Sequence, residues 1–214
     1  MQFNRPADSI QLLAVSKTRP ATDIQDALAA GQRQFGESYL QEALEKIQQL
    51  SDSQAIWHFI GRIQSNKTRA IAENFDWVHS LYSVKHAQRL NSQRPDHLPP
   101  LKICLQINLN REQTKGGIPP NEAAELVVGI RELPRLLLQG LMTLPASSSD
   151  FDQQRQPFRA LRELRDQLAT DDLPLATLSM GMSGDLEAAI AEGATIVRIG
   201  TAIFGPRNYG TTKG

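Results

Sequence analysis

Lys17 directly follows LLAVS, a mostly apolar run with the length and composition of a buried strand. A lysine at the end of such a strand would have a desolvated stem, and burial disfavours the charged form of an amine. The neutral amine is nucleophilic enough to form a Schiff base with an aldehyde. The alternative is a surface lysine whose stem lies along apolar groups while its head stays in water. Position alone is compatible with both interpretations.

Two short segments in the last third of the chain pair glycines with hydroxyl side chains. SMGMSGD contains Ser183 and Gly184, and RIGT contains Gly200 and Thr201. Glycines let backbone N–H groups approach a ligand, and a helix that starts nearby turns its positive end toward an anion. Together the segments predict a phosphate-binding site. Alternatively, Ser183 is only the N-cap of the next helix.

Three further candidates lie in expected strands. Arg198 interrupts the apolar run IVRI, so strand alternation can turn it inward, where its guanidinium needs acceptors such as those of a ligand. An outward Arg198 paired with a helix carboxylate is the alternative. Met142 in GLMT and His58 in WHFIG stand near the ends of two more strands and are assigned to the same site. A lone strand histidine also suits a purely structural role.

The elements that must position these residues alternate along the whole chain. Apolar and β-branched runs predict eight strands, near residues 11–16, 34–36, 57–61, 77–80, 102–109, 137–143, 177–180 and 195–199. Helical periodicity predicts helices near residues 23–30, 39–50, 66–74, 84–92, 121–133, 151–169 and 184–192. Thr22 with Gln25, and Ser38 with Gln41, fit capping boxes at the first two helices.

Repeated strand–helix units without a break in composition predict one domain over residues 1–214. We expect an α/β protein, a single parallel (β/α)8 barrel of the TIM type, because closing so many strands removes both sheet edges. In such barrels the site lies at the carboxyl ends of the strands, and the loops after strands seven and eight commonly bind phosphate. The candidate residues therefore meet at one end of the barrel.

The composition excludes several classes of function. Lys plus Arg and Asp plus Glu each total 23, so no net charge attracts nucleic acid or an anionic membrane. A single cysteine, Cys104, rules out an intrachain disulfide, and no spacing resembles a zinc motif. No apolar segment reaches the ~18 residues of a membrane-spanning helix. We expect a cytoplasmic monomer that binds neither nucleic acid nor membrane.

Six segments, in order along the chain, resemble the pyridoxal phosphate homeostasis proteins, a family similar in turn to the N-terminal barrel domain of alanine racemase. They are LLAVSKTRP, FGESYLQE, WHFIGRIQSNK, GLMTLP, LSMGMSGD and VRIGTAIFG. The resemblance implies pyridoxal 5′-phosphate (PLP) as cofactor, Lys17 as its Schiff-base lysine and Arg198 facing its pyridine nitrogen. It also implies four phosphate-binding residues, namely Ser183, Gly184, Gly200 and Thr201. Ser38 stands where the family usually has an asparagine that contacts the cofactor ring.

The resemblance further implies a PLP carrier of vitamin B6 homeostasis without an established reaction. About a dozen residues follow Thr201, too few for the second domain that gives racemases their second base. Arginine keeps its proton, so Arg198 would leave the pyridine nitrogen unprotonated and the ring a poor electron sink. The expected ligands are PLP and amino acids, with PLP-dependent apoenzymes as recipients. The alternative is a weak racemase-like enzyme using the same Schiff base.

Overall fold

The computed structural model describes residues 3, 5–110 and 115–206, in which eight strands alternate with eight α-helices. The strands are β1 Gln11–Val15, β2 Gln34–Glu37, β3 Ile56–Phe59, β4 Trp77–Leu81, β5 Leu101–Gln106, β6 Leu136–Met142, β7 Thr177–Ser179 and β8 Ile196–Ile199. The helices are α1 Ala21–Ala29, α2 Leu40–Gln49, α3 Thr68–Asn74, α4 Val84–Gln93, α5 Ala123–Arg131, α6 Phe151–Leu168, α7 Leu186–Ala191 and α8 Thr201–Phe204. None of these helices is long and apolar enough to cross a bilayer.

The eight strands pair in chain order and close into a barrel in which every pair is parallel. Closure is made by β1 and β8, where Gln11 lies opposite Ile196 and Ala14 lies opposite Ile199. No strand is left with an unpaired edge, which is the advantage of a closed sheet. The predicted (β/α)8 barrel is confirmed.

The starts of the first two helices differ from the sequence-based expectation. The N-caps are Pro20 for α1 and Tyr39 for α2, and neither makes a side-chain capping bond. The predicted capping boxes that begin at Thr22 and Ser38 are therefore wrong. Pro20 holds an extended backbone with φ −68°, and α1 starts directly after it, two residues before the box requires. Ser38 lies on the cavity described below instead.

Apolar side chains fill two separate layers. The larger core lies between strands and helices and includes Phe35, Phe75 and Phe158, each less than 2% exposed. A smaller cluster inside the barrel consists of Leu13, Trp77, Cys104, Met142 and Ile196. Interiors of such barrels are usually filled by bulky branched residues. Here the apolar interior cluster leaves room for a set of polar side chains.

These polar side chains form one hydrogen-bonded chain, hereafter the interior chain, that runs from Arg198 to Gln34. Arg198 Nη1 donates to Ser179 Oγ over 2.8 Å, and Ser179 Oγ lies 2.8 Å from His79 Nδ1. His79 Nε2 lies 2.8 Å from His58 Nδ1, and His58 Nε2 lies 2.6 Å from Gln34 Oε1. The interior chain links one wall of the barrel to the other.

The hydrogens of the interior chain have one self-consistent assignment. Gln34 Oε1 can only accept, so with both rings neutral the protons run toward it, and the Ser179 hydroxyl accepts from Arg198 and donates to His79. Each histidine then carries its proton on Nε2, and the last proton goes to the carbonyl oxygen of Gln34. Burial lowers the pKa of His79 to about 3 and also depresses the pKa of His58, so both rings are neutral.

The buried neutral His79 makes stability depend on pH. Its folded pKa of about 3 lies below the ordinary 6.5, so unfolding within that window takes up a proton. Stability from this residue is therefore complete above pH 6.5 and falls as the pH drops below it. We expect the urea-unfolding free energy of His79→Asn to fall less steeply between about pH 6 and 4 than that of wild type, by up to about 1.4 kcal/mol per pH unit. The exposed His97→Asn is the control, and parallel curves for His79→Asn and wild type would contradict the assignment.

Candidate functional site

A cavity of about 290 Å³ opens at the carboxyl ends of the strands. Its wall comes from β1, β2 and β3 and from β6, β7 and β8, with the segments that follow them. The lining residues are Val15, Lys17, Arg19, Ser38, Ile60, Met142, Leu144, Met182, Ser183, Gly184, Arg198, Gly200, Thr201 and Gly205. The cavity is thus an end-of-barrel site, as the fold predicts.

The structure brings eight of the nine sequence-predicted site residues to this cavity. They are Lys17, Ser38, Met142, Ser183, Gly184, Arg198, Gly200 and Thr201. The exception is His58, which is fully buried in the barrel and bonded within the interior chain. Ile60, two residues further along, takes the place at the cavity wall. Successive residues of a strand alternate in direction, so Ile60 and His58 point the same way at different depths.

Lys17 lies in a tight turn directly after β1. The turn closes when Arg19 N donates to the Ser16 carbonyl oxygen over 3.0 Å, and it leaves the Lys17 side chain half-buried at the cavity. Thr18 has a positive φ of 65°, which L-residues rarely adopt. This conformation turns the chain sharply at the rim of the cavity.

Arg19 also lines the cavity, although the sequence analysis did not select it. Its guanidinium donates to the carbonyl oxygens of Gly205 and Pro206. These contacts join the segment after β1 to the segment after α8 across the cavity rim. The only sequence signal was a basic residue two positions after Lys17, and such a signal does not separate a structural arginine from a ligand-binding one.

Arg198 is 4% exposed and turns inward, so the outward alternative is not what the structure shows. Its second donor, Nη2, bonds the Thr143 carbonyl oxygen over 2.8 Å. Both acceptors, Ser179 and Thr143, are neutral, and no carboxylate among the described residues lies within ion-pair distance. Burial lowers the pKa of Arg198 to about 10, and the negative charge of Asp185 opposes that shift. The guanidinium therefore remains a cation whose nearest partners are neutral, with the charge of Asp185 acting from beyond ion-pair distance.

Ser183 and Gly184 form the tip of a turn after β7. Met182 N donates to Asp185 Oδ1 over 2.6 Å, and Asp185 N donates back to the Met182 carbonyl oxygen over 3.2 Å. Asp185 is also the N-cap residue of α7, but its side chain makes no capping bond. Ser183 is therefore not the N-cap that the alternative interpretation required, and its hydroxyl lies at the cavity.

Gly200 and Thr201 form the junction between β8 and α8. The Gly200 carbonyl accepts from the N–H groups of Ile203 and Phe204, which closes the short helix. The first N–H groups of a helix have no intrahelical acceptor, so those at this junction are available to a ligand. A Cβ at position 200 would lie 3.2 Å from the Val15 carbonyl oxygen, so the close approach of β8 to β1 favours glycine.

The charges around the cavity have one sign. Lys17, Arg19 and Arg198 line it, and none of the described lining residues is Asp or Glu. The hydroxyls of Ser183 and Thr201 add neutral donors, whereas Ile60 and Met142 supply apolar surface. The arrangement suits a small anion with a flat apolar part, an acceptor atom for Arg198 and an electrophile for the amine of Lys17.

Comparisons with known proteins identify the family of this chain. The family model described as alanine racemase, N-terminal domain, matches residues 3–208. A Pseudomonas aeruginosa protein named pyridoxal phosphate homeostasis protein is 55% identical over 206 residues, which cover 96% of this chain and 88% of that protein. An Escherichia coli protein of the same name is 51% identical over 208 residues, covering 96% and 89%.

Solved structures show the same similarity. The structure of PipY of Synechococcus elongatus with PLP bound gives a TM-score of 0.85 at 38% identity, covering 95% of this chain and 96% of that one. An alanine racemase of Clostridium difficile gives 0.79 at 17% identity, covering 94% of this chain and 53% of that one, and so shares the fold. This chain belongs to the alanine racemase N-terminal domain family, among relatives named pyridoxal phosphate homeostasis proteins.

Proposed function

We propose that this chain, as a single barrel domain over residues 1–214, binds PLP on Lys17 and serves vitamin B6 homeostasis rather than catalysis. The observation that carries the proposal is one cavity that combines the Lys17 amine, the buried cation Arg198 and the hydroxyls of Ser183 and Thr201 without an acidic lining residue. The names of the relatives and the PLP-bound structure of PipY support the identity of the ligand.

The lining residues fit the parts of this cofactor. Its phosphate needs several donors, which the turn with Ser183 and Gly184 and the junction with Gly200 and Thr201 supply. Its pyridine nitrogen is an acceptor, and Arg198 is a buried donor whose guanidinium has only neutral partners. The volume of about 290 Å³ lies just below the lower limit of the ~300–1,000 Å³ range of ligand pockets.

Ser38 and Met142 also line the cavity and would complete the binding surface for the ring. Met142 is 1% exposed and lies in the apolar cluster of the barrel interior, so it provides apolar contact. Ser38 follows β2 and presents a shorter side chain than the asparagine usual in the family. His58 has no place in this binding surface, since both its ring nitrogens are bonded within the interior chain.

The chemistry supplied by bound PLP is an aldehyde, which condenses with the Lys17 amine and releases water. Arg198 donates and keeps its protons, so it would hold the ring in place without protonating its nitrogen. No His, Asp, Glu, Tyr or Cys is found among the described lining residues, so no second acid–base group faces Lys17 across the cavity. These features support binding and release more than turnover.

The proposal includes delivery of PLP to PLP-dependent apoenzymes by a cytoplasmic monomer, with amino acids as further small ligands. Exchange of an aldehyde from one lysine to another amine replaces one C=N bond by another of the same type. Covalent attachment to a lysine is therefore compatible with transfer of PLP to an apoenzyme. Light scattering of the purified chain tests the monomeric state, and the experiments below test attachment and transfer.

We expect Lys17→Ala to abolish covalent attachment of PLP, because it removes the nucleophile. Borohydride reduction followed by peptide mass spectrometry should place the label on Lys17 in wild type and on no peptide of the variant. Lys85→Ala, an exposed lysine on α4, should be labelled like wild type. A label on Lys67 or Lys115 would overturn the assignment.

We expect Ser183→Ala and Thr201→Ala each to weaken PLP retention by about 1–3 kcal/mol, or roughly 5- to 150-fold in Kd, because a charged acceptor loses a donor. Equilibrium dialysis measures the loss, with exposed Ser51→Ala as the control. Wild-type retention in both variants would remove these hydroxyls from the phosphate site.

We expect the PLP-loaded chain to activate a PLP-dependent apoenzyme but not to transform amino acids. Apoenzyme activity, measured after mixing, should rise with loaded wild type and stay at background with Lys17→Ala taken through the same loading and desalting. Incubation with each L-amino acid should leave chirality and α-protons unchanged. Turnover on the order of 1 s⁻¹, an ordinary enzymatic rate, would show a racemase-like enzyme instead.

A further inference from the structure

A buried ionic cluster lies behind Lys17, outside the cavity wall. It consists of Glu37 at the end of β2 and the helical pair Glu42 and Lys46 on α2. Lys46 Nζ donates to Glu37 Oε1 over 2.8 Å and also to Glu42 Oε1. The side chain of Glu37 is fully buried, that of Lys46 is 5% exposed and that of Glu42 is 30% exposed. None of the three lines the cavity.

The ionic cluster bonds the backbone on both sides of Lys17. Before it, Lys46 Nζ donates to the Ser16 carbonyl oxygen over 2.8 Å. After it, Thr18 N donates to Glu42 Oε1 over 2.6 Å. The residues on both sides of Lys17, Ser16 and Thr18, are therefore bonded through their backbone to α2.

The same cluster ties together two cavity-facing strand ends. The Ser16 hydroxyl donates to Glu37 Oε1 over 2.7 Å. Ser16 directly precedes Lys17, and Glu37 directly precedes Ser38, so this single bond fixes the two cavity residues relative to each other. β1 and β2 are neighbours in the sheet, with Val15 opposite Gly36 just below this bond.

The conformation of Thr18 requires such support. Its φ of 65° places a β-branched residue in the left-handed region, which is unfavourable for L-residues. Strained backbone of this kind persists only where the surrounding structure holds it. The bond from Thr18 N to Glu42 helps to hold Thr18 in this conformation, together with the bond from Arg19 N to the Ser16 carbonyl oxygen that closes the turn.

We propose that Glu42, acting with Glu37 and Lys46, positions the Ser16–Lys17–Thr18 segment so that the Lys17 amine is ready for covalent attachment. These are positioning residues, since they touch the lysine segment and not the ligand. A buried ion pair is weak evidence for a stabilising role, because well-packed apolar residues often stabilise as much. Its two bonds to the flanking backbone give it a geometric role instead.

The inference rests on the proposed function and deepens it. If the ionic cluster orients the amine, breaking it slows attachment of an aldehyde but leaves the rest of the binding surface intact. PLP and pyridoxine 5′-phosphate separate the two effects, because the second carries a hydroxymethyl group in place of the aldehyde and cannot attach. Attachment of PLP forms the bond between the Lys17 nitrogen and the aldehyde carbon and releases the aldehyde oxygen as water.

The experiment uses the purified full chain and its Glu42→Ala, Glu42→Gln, Ser16→Ala and Glu45→Ala variants. Glu45 is exposed on the same helix and is the matched control. We expect Glu42→Ala to slow borohydride-trapped attachment of PLP by about 10- to 100-fold, the scale of a small misplacement of a reacting group. Its Kd for pyridoxine 5′-phosphate should equal that of wild type. Glu42→Gln keeps an oxygen for Thr18 N and should recover most of the rate.

Three results would overturn the inference: wild-type attachment by Glu42→Ala, an equal loss for both ligands, or no recovery in Glu42→Gln. If Glu42→Ala does not fold by circular dichroism, Ser16→Ala supplies the same comparison, since it removes only the bond between the strand ends. Slowed attachment with unchanged analogue binding in Ser16→Ala supports the inference. Failure of wild type to attach PLP at all would instead overturn the proposed function.

Discussion

The burial of one guanidinium without a carboxylate at ion-pair distance constrains the polar interior of this barrel. Arg198 is held inside the barrel by neutral acceptors only, so its charge must be solvated by dipoles and by whatever occupies the cavity. Ser179 accepts from Arg198 and gives its own proton to the neutral ring of His79. The buried cation therefore links the polar interior of the barrel to the wall of the cavity.

The sequence predicted those elements of the fold that have a clear pattern of apolar residues. The run LKICLQ has four apolar residues in six, and it forms β5, in which every residue except Lys102 is buried. Shorter elements gave no such signal. The four-residue helix α8 was not predicted, because a single turn has no periodicity to detect. The capping boxes failed because a cap depends on local backbone, and at the start of α1 Pro20 determines where the helix begins.

The site was readable where it coincided with a strand end. Lys17, Arg198 and Thr201 were found because residues that end parallel strands share one edge of the sheet. Depth along a strand was not readable, and for that reason His58 was assigned to a cavity that Ile60 occupies instead. The ionic cluster of Glu37, Glu42 and Lys46 was missed altogether. Two of its members lie on an outer helix, where charged residues are normally exposed, so the sequence did not predict their burial.

The interior chain has a single polarity, with every proton pointing from Arg198 toward Gln34. For protons to move along a row of hydrogen bonds, each member must rotate afterwards so that the donor and acceptor of every bond are exchanged. Arg198 cannot accept a proton, and both rings are packed against aromatic neighbours, with His58 stacked on Trp77 at 5.3 Å. The row therefore acts as a fixed structural link across the barrel, from Arg198 on β8 to Gln34 on β2.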